Sequence, residues 1–416
     1  MRTFSVVMLM ACSMSIMLSG CFASRSNDIS RLSVSSDSKL GLRGSSSMAV
    51  LHEVEQDAKP HIVRIETVED LNVIYFVDEA HGWVASDREL YNTDDAGQHW
   101  TKVAINIPKG AAIKSVSFAD QVHGWILLKS VPPTISNYRD YRFWLMRTDD
   151  RGQTWKLQYE ESNTDVTMLA FADERNGWIS GIKYKGVAPL RFEPLIIRTA
   201  DGGSHWSDMS SQLKQSVGIQ VDATGVPAND GVMRLLPEGR VGATVITSRN
   251  ELVKTTDGGY HWSRMEVVPE TSEHAGIRTF GKHANDKLWI AKATDGQEGA
   301  RGLLEVQQAD DSWSSYTLSG SYFADVVYLP ASGDFLACGY RKLNAHGSIA
   351  STAKKEALLI RSSDGGKNWS VVYADPAIES VNAIFPLSSG SVWGVGTRGV
   401  IFRFALSNDL SLTGRN

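Results

Sequence analysis

Five segments of this chain repeat one pattern, Ser/Thr-x-Asp-x-Gly-x-x-Trp, and their spacing fixes most of what the chain can become. They begin at Thr93, Thr148, Thr199, Thr255 and Ser362. Asp95, Asp150, Asp201, Asp257 and Asp364 follow two residues later, and Trp100, Trp155, Trp206, Trp262 and Trp369 close them. A sixth copy has decayed to Val306, Gln308 and Asp310 but keeps Trp313. Successive copies start 55, 51, 56, 51 and 56 residues apart. Such a period belongs to an array of one supersecondary unit, repeated around or along an axis.

A second motif precedes each box. "FVDEAHGW" at Phe76, "FADQVHGW" at Phe118 and "FADERNGW" at Phe171 share Phe-x-Asp-x-x-x-Gly-Trp, and looser versions follow near Leu236, Phe280, Tyr328 and Phe385. Each is an apolar run, a short polar turn and a second apolar run, which reads as two strands of a hairpin. A third run such as "LIIRT" leads into the box and a fourth such as "WSVVYAD" leaves it. Four antiparallel strands in about 50 residues, repeated, predict an all-β, seven-bladed propeller. The seventh blade runs out of sequence after its third strand, "VIFRF", while "HIVRIETV" at His61 precedes blade one without a partner. This N-terminal segment is expected to supply the missing outer strand and close the ring, leaving no exposed edge there.

The box resembles the Asp-box, or bacterial neuraminidase repeat. The resemblance implies that Asp and Ser/Thr side chains bond backbone amides of the turn between third and fourth strands, while Gly supplies a positive φ and Trp wedges against the neighbouring sheet. Eleven of the 12 tryptophans, all but Trp144, occupy repeat positions, so they are expected to be packing residues.

The two ends differ from the repeats. Residues 1–20 have an early Arg2, an apolar run and small residues, the form of a secretory signal. "LSGC" at 18–21 resembles the bacterial lipobox, which implies cleavage before Cys21 and its lipidation, with a destination at the outer membrane because Phe22 follows. Residues 21–58 are Ser-rich and read as a flexible tether, 59–406 as the propeller and 407–416 as a tail. Cys12 leaves with the signal and Cys21 carries lipid, so Cys338 has no partner and no disulfide is expected.

Strand order decides where recognition can sit. In a four-stranded meander the one–two and three–four turns share one face, so both motifs crowd together there. The opposite face receives the insertions of blades two, three, five and six, whose charged residues sum to six more positive than negative in a chain of net charge -5. They include Arg139, Arg142, Lys183, Lys185, Arg341 and Lys342, and Tyr138, Tyr141 and Tyr184 interleave with them. Blades one, four and seven have short connections with Arg88, Arg249 and Arg398 at the equivalent turn. A cationic, tyrosine-bearing face of this kind suits an acidic segment of a protein partner, with arginine forks reading carboxylates. The net charge argues against nucleic acid, and no metal or cofactor is expected, since the histidines are spaced around the ring.

From His61 to Phe404 the chain resembles the photosystem II assembly and stability factor family of propellers, in which both motifs and a short arginine turn recur in this order. The resemblance implies a non-catalytic protein-binding platform for a membrane or envelope protein, with Arg88, Arg249 and Arg398 matching the family's arginine patch; the chain is expected to be a monomer. Four long insertions and one erased box depart from it. The enzymatic alternative is a glycan-active or glycan-binding Asp-box propeller: a sialidase type needs an arginine triad, a Tyr/Glu nucleophile pair and an acid Asp, and other Asp-box glycosidases need two carboxylates roughly 5 to 9.5 Å apart.

Overall fold

The computed structural model describes residues 52–53, 60–67, 69–131, 140–187, 190–217, 231–247, 251–265, 276–294, 301–343 and 354–405. Cys21, Tyr138, Arg139 and Arg249 lie outside them, as do most of the inserted loops. Ser46–Asn416 contains the propeller as one compact unit.

Among the described residues the strands form seven sheets of sequential, antiparallel strands. Their innermost strands are Val73–Phe76, Ala111–Phe118, Thr164–Phe171, Val232–Glu238, Gly276–Lys282, Ser321–Leu329 and Val381–Pro386. Each innermost strand packs against the next, and the last packs against the first. The seventh sheet takes its fourth strand from His61–Arg64, which pairs antiparallel with Val400–Ala405.

Burial follows position in the blade. Second strands are covered on both sides by neighbouring blades, so Gly82–Ala85, Gly242–Thr247 and Ser391–Gly396 are buried at every residue. That is why they read as continuous apolar runs instead of alternating ones. Outer strands such as Thr101–Val103 and Lys156–Ser162 are largely exposed. The core is therefore a circle of inter-blade layers, such as the one joining Trp83 and Ala85 of blade one to Phe118, Ile126 and Leu128 of blade two.

The aromatic residues of the two motifs make those layers. Trp83 stacks on Phe118 of the next blade with centroids 3.6 Å apart, Trp125 on Phe171 at 3.5 Å, and Trp393 of blade seven on Phe76 of blade one at 5.3 Å. The box Trp of the receiving blade meets the same Phe edge-on: Trp155 on Phe118, Trp206 on Phe171 and Trp100 on Phe76. Each such Phe is thus held flat from one blade and on edge from its own. A Cβ on Gly124 would come within 2.3 Å of the Phe118 ring, so the glycine of the second motif is what lets that ring fold back over its own hairpin. Blade four has Leu236 in place of Phe, and there Trp178 instead meets the box tryptophan Trp262.

Two features were not legible in the strand pattern. After Trp206 the fourth strand of blade three shortens to Ser207–Asp208, and the helix α1, Ser210–Val217, follows. Asp208 accepts the N–H of Ser210 at 2.8 Å, and Met209 and Leu213 join the core between blades three and four. His52–Glu53, within the segment read as a tether, pairs in parallel with Ser370 and Val371 at the outer edge of blade six.

Candidate binding site

On the face of the one–two and three–four turns, the signature residues are bound to one another. Asp201 accepts the Thr199 hydroxyl at 2.9 Å, the His205 N–H at 2.9 Å and the His205 ring at 2.7 Å. The Thr199 hydroxyl in turn accepts the Gly203 N–H at 2.8 Å. The same set recurs at Asp95, Asp150, Asp257 and Asp364, where Gly97, Gly152, Gly259 and Gly366 donate to the box Thr or Ser. Gly97 has φ +78°, and a Cβ there would fall 2.2 Å from Trp393 of the preceding blade. Trp155, Trp206, Trp262 and Trp369 each donate their indole N–H to the carbonyl of the box Gly, at 2.9–3.1 Å.

These bonds explain the acidity of the box carboxyls. Asp95 and Asp257 are held at about 2, first by the backbone N–H of His99 or His261 and then by its imidazole. At Asp201 burial pushes the other way, but the His205 and Thr199 donors prevail and again leave it at about 2. The residue before each box Trp is His99, Thr154, His205, His261 or Asn368, always a side-chain donor to the second Asp oxygen. That regularity stands in the sequence, where His99, His205 and His261 recur at one repeat phase, but their role as donors to the box Asp follows only from the fold.

The second motif repeats the device. Asp78, Asp120 and Asp173 each accept two backbone N–H groups of their turn and the side chain of His81, His123 or Asn176. A shallow hollow between blades one and two is lined by Tyr75, Asp78, Phe118, Asp120 and Gln121. Its acidic groups are these same turn formers. Asp120, His123 and Glu174 bring three potential metal ligands within 4.8 Å of one another, but His123 Nδ1 already faces Asp120 at 2.8 Å.

The opposite face differs from what the loop charges alone suggest. Lys129 pairs with Asp165 at 2.8 Å, Lys183 with Glu161 at 2.6 Å and Lys185 with Glu193 at 2.7 Å. Arg341 pairs with Glu356, directly across the strand register. Asp165 and Glu161 belong to strands outside the inserted loops, so a tally over the loops overstates the free positive charge. Tyr141 and Tyr184, expected on that face, are instead buried against each other as a tilted pair with ring centroids 4.7 Å apart, and neither is presented to a partner.

Exposed cations remain at Arg88, Arg142 and Arg398. Arg88 sits at the apex of a tight turn in which the Ser86 hydroxyl accepts the N–H groups of Arg88 and Glu89. Arg398 holds the matching apex of blade seven at φ +55°, its N–H bonded to Asp70 at 3.0 Å and its guanidinium 3.1 Å from Glu379. Both contacts are exposed, where an ion pair is worth little and yields readily to a competing carboxylate. Arg142 lies over Trp144, and Lys342 is half-buried at the end of its strand.

No protein-family model and no curated protein matches the chain. Among solved structures, YCF48 bound to D1 peptide superposes with a TM-score of 0.56 at 18% identity, covering 86% of this chain and all of that one. The chain has a β-propeller fold. The WD40 propeller domain of Doa1 matches with a TM-score of 0.51 at 10% identity, over 84% of this propeller chain and 96% of that one. Virginiamycin B lyase from Staphylococcus aureus gives 0.50 at 11%, over 84% and 99%. At such identities the likeness is one of fold, and a fold shared by peptide binders and a lyase leaves function to be argued from the site.

Proposed function

We propose that this protein is a non-catalytic, lipid-anchored component of the bacterial envelope whose propeller is a binding platform for another envelope protein. In this reading Cys21 carries the lipid at the outer membrane, the His61–Arg64 strand closes the ring, and the boxes are Asp-box turns that hold the blades together. An acidic segment of the partner meets the face bearing Arg88, Arg249 and Arg398.

The observation that carries the reading is the contrast between the two faces. On one, the box aspartates and tryptophans are bound within their own turns and blades, so they offer no carboxylate pair for sugar chemistry. On the other, Arg88 and Arg398 project from matched turn apices with weak or no pairing among the described residues. A propeller of similar fold is itself seen with a bound peptide, which accords with this use of the scaffold.

The test is affinity capture from native envelopes, comparing the protein with an Arg88→Gln, Arg249→Gln, Arg398→Gln variant. The proposal expects the variant to lose its protein partner while its thermal midpoint stays within about 2 °C, since exposed pairs contribute little to stability. Equal capture by both proteins contradicts it, and turnover of a fluorogenic sialoside would replace it with the glycan-active reading.

A further inference from the structure

Six of the seven innermost strands carry a register shift near their start, and in each one residue stands out of register: Lys114, Thr167, Met233, Arg278, Ala324 and Asn382. Those strands border the axis of the ring. Several polar residues at or beside the bulge bond to the backbone of the next blade. Thr167 donates to Val232 O at 3.0 Å, Arg234 Nε donates to Arg278 O, and Asn382 Nδ2 donates to Leu71 O at 3.0 Å. Asp325 accepts the N–H of Ile384 at 3.2 Å. Lys114 does not follow this rule: among the described residues its ammonium has neither a hydrogen-bond nor an ion-pair partner.

The charges near it converge across the axis. Lys114 of blade two, Arg234 of blade four and Asp325 of blade six stand at or beside the bulges of innermost strands that pack side by side around one axis, and their charges act on one another across the intervening blades. Burial first, then Lys129 and Arg234, pulls the Lys114 ammonium down to about 8, and Asp165 and Asp87 offset this only in part. Asp165 is already paired to Lys129, and Asp325 is held by two backbone N–H groups as well as by Arg234. Arg278 lies over the Tyr322 ring, 5.4 Å from its centroid. Lys114 thus leaves a positive charge without a partner among the described residues, in surroundings of restricted dielectric where an anion is held far more strongly than on the surface.

We propose that the axis of the ring is an anion site, in which Lys114, with Arg234 and Arg278, takes one carboxylate or phosphate group. The bulges lie near the starts of the innermost strands, so the site is entered from the face that bears Arg88 and Arg398. The group comes either as a free small anion or as the carboxylate end of a chain. This goes beyond the platform reading and stands without it, because the site needs no protein partner to be filled.

The experiment is isothermal titration calorimetry at constant ionic strength, using inorganic phosphate and two short peptides that differ only in a free or amidated C-terminal carboxyl. The expected result is saturable binding of phosphate or of the free-acid peptide. Lys114→Met and Arg278→Gln should each weaken it about tenfold or more, as for the loss of a charged hydrogen bond. Lys156→Gln, on the exposed outer strand of blade two, should leave it unchanged, and Lys114→Arg should retain it, which decides the matter even if Lys114→Met does not fold. Preference for the free acid over the amide identifies a chain end; phosphate binding without that preference identifies a free anion. Absence of saturable binding to the wild-type protein, or binding by Lys114→Met and Arg278→Gln equal to wild type, overturns the proposal. Neither of those outcomes would touch capture of an envelope protein through Arg88, Arg249 and Arg398.

Discussion

Trp125 of blade two lies flat on Phe171 of blade three, with ring centroids 3.5 Å apart and planes 5° from parallel. Its indole N–H also donates to Gly202 O at 3.1 Å, in the box turn of the neighbouring blade. One side chain thus joins two blades through both an apolar face and a polar edge. Trp125→Ala removes a fully buried side chain, and the expected cost is about 3–5 kcal/mol. The check is the urea midpoint of unfolding; a shift of under about 1 kcal/mol would show that this stack does not hold the blades.

The box carboxylates are expected to matter through their donors. Asp364 accepts the Ser362 hydroxyl, the Asn368 N–H and the Asn368 side-chain amide, whereas Asp310 in the decayed copy bonds only locally to Ser312. Asp364→Ala should cost about 1–3 kcal/mol, because several donors lose their acceptor. Asp310→Ala should leave the urea midpoint in place. Equal effects at the two sites would remove the structural role assigned to the box.

Stability should respond to acid in a defined window. Asp95 and Asp257 titrate at about 2 in the fold, below the roughly 3.9 of an unfolded aspartate. Depressed carboxyls favour the fold fully above the unfolded value, and that contribution is lost as pH falls from about 4 toward 2. Urea midpoints measured from pH 6 to pH 2 should therefore fall through that interval, and Asp95→Asn with Asp257→Asn should make the fall shallower. An unchanged slope would count against the hydrogen-bond account.

Lys292 and Glu305 form an ion pair at 2.5 Å in blade five, with side chains only 3% and 1% exposed. Burial pushes the Glu305 carboxyl up while Lys292 pulls it back. Replacing Lys292 by Met alone should cost about 3–5 kcal/mol by stranding the carboxylate. Adding Glu305→Leu should recover much of that loss, and a double-mutant cycle in urea reads the difference.

The blades were legible because they are local: each motif is contiguous, and its Gly, Asp and aromatic residues serve a turn or stack whose pattern repeats. The site was less legible because its charges are settled by strands far apart in sequence. Lys183 and Glu161, or Lys129 and Asp165, sit in different blades, and no spacing rule brings them together. Tyr141 and Tyr184 stand among loop cations in the sequence, but both are buried against each other in the fold. The helix α1 was hidden because "SSQLKQSV" is polar and lies where blades two, five and six continue as a strand of six or seven residues.

The most direct test of the platform account places a photocrosslinking residue, in separate proteins, at Arg88 and Arg398 on one face and at His99 and His261 on the other, followed by irradiation in native envelopes. The account predicts adducts to an envelope protein from the positions of Arg88 and Arg398 and none from those of His99 and His261. Adducts confined to the His99 and His261 positions would contradict it.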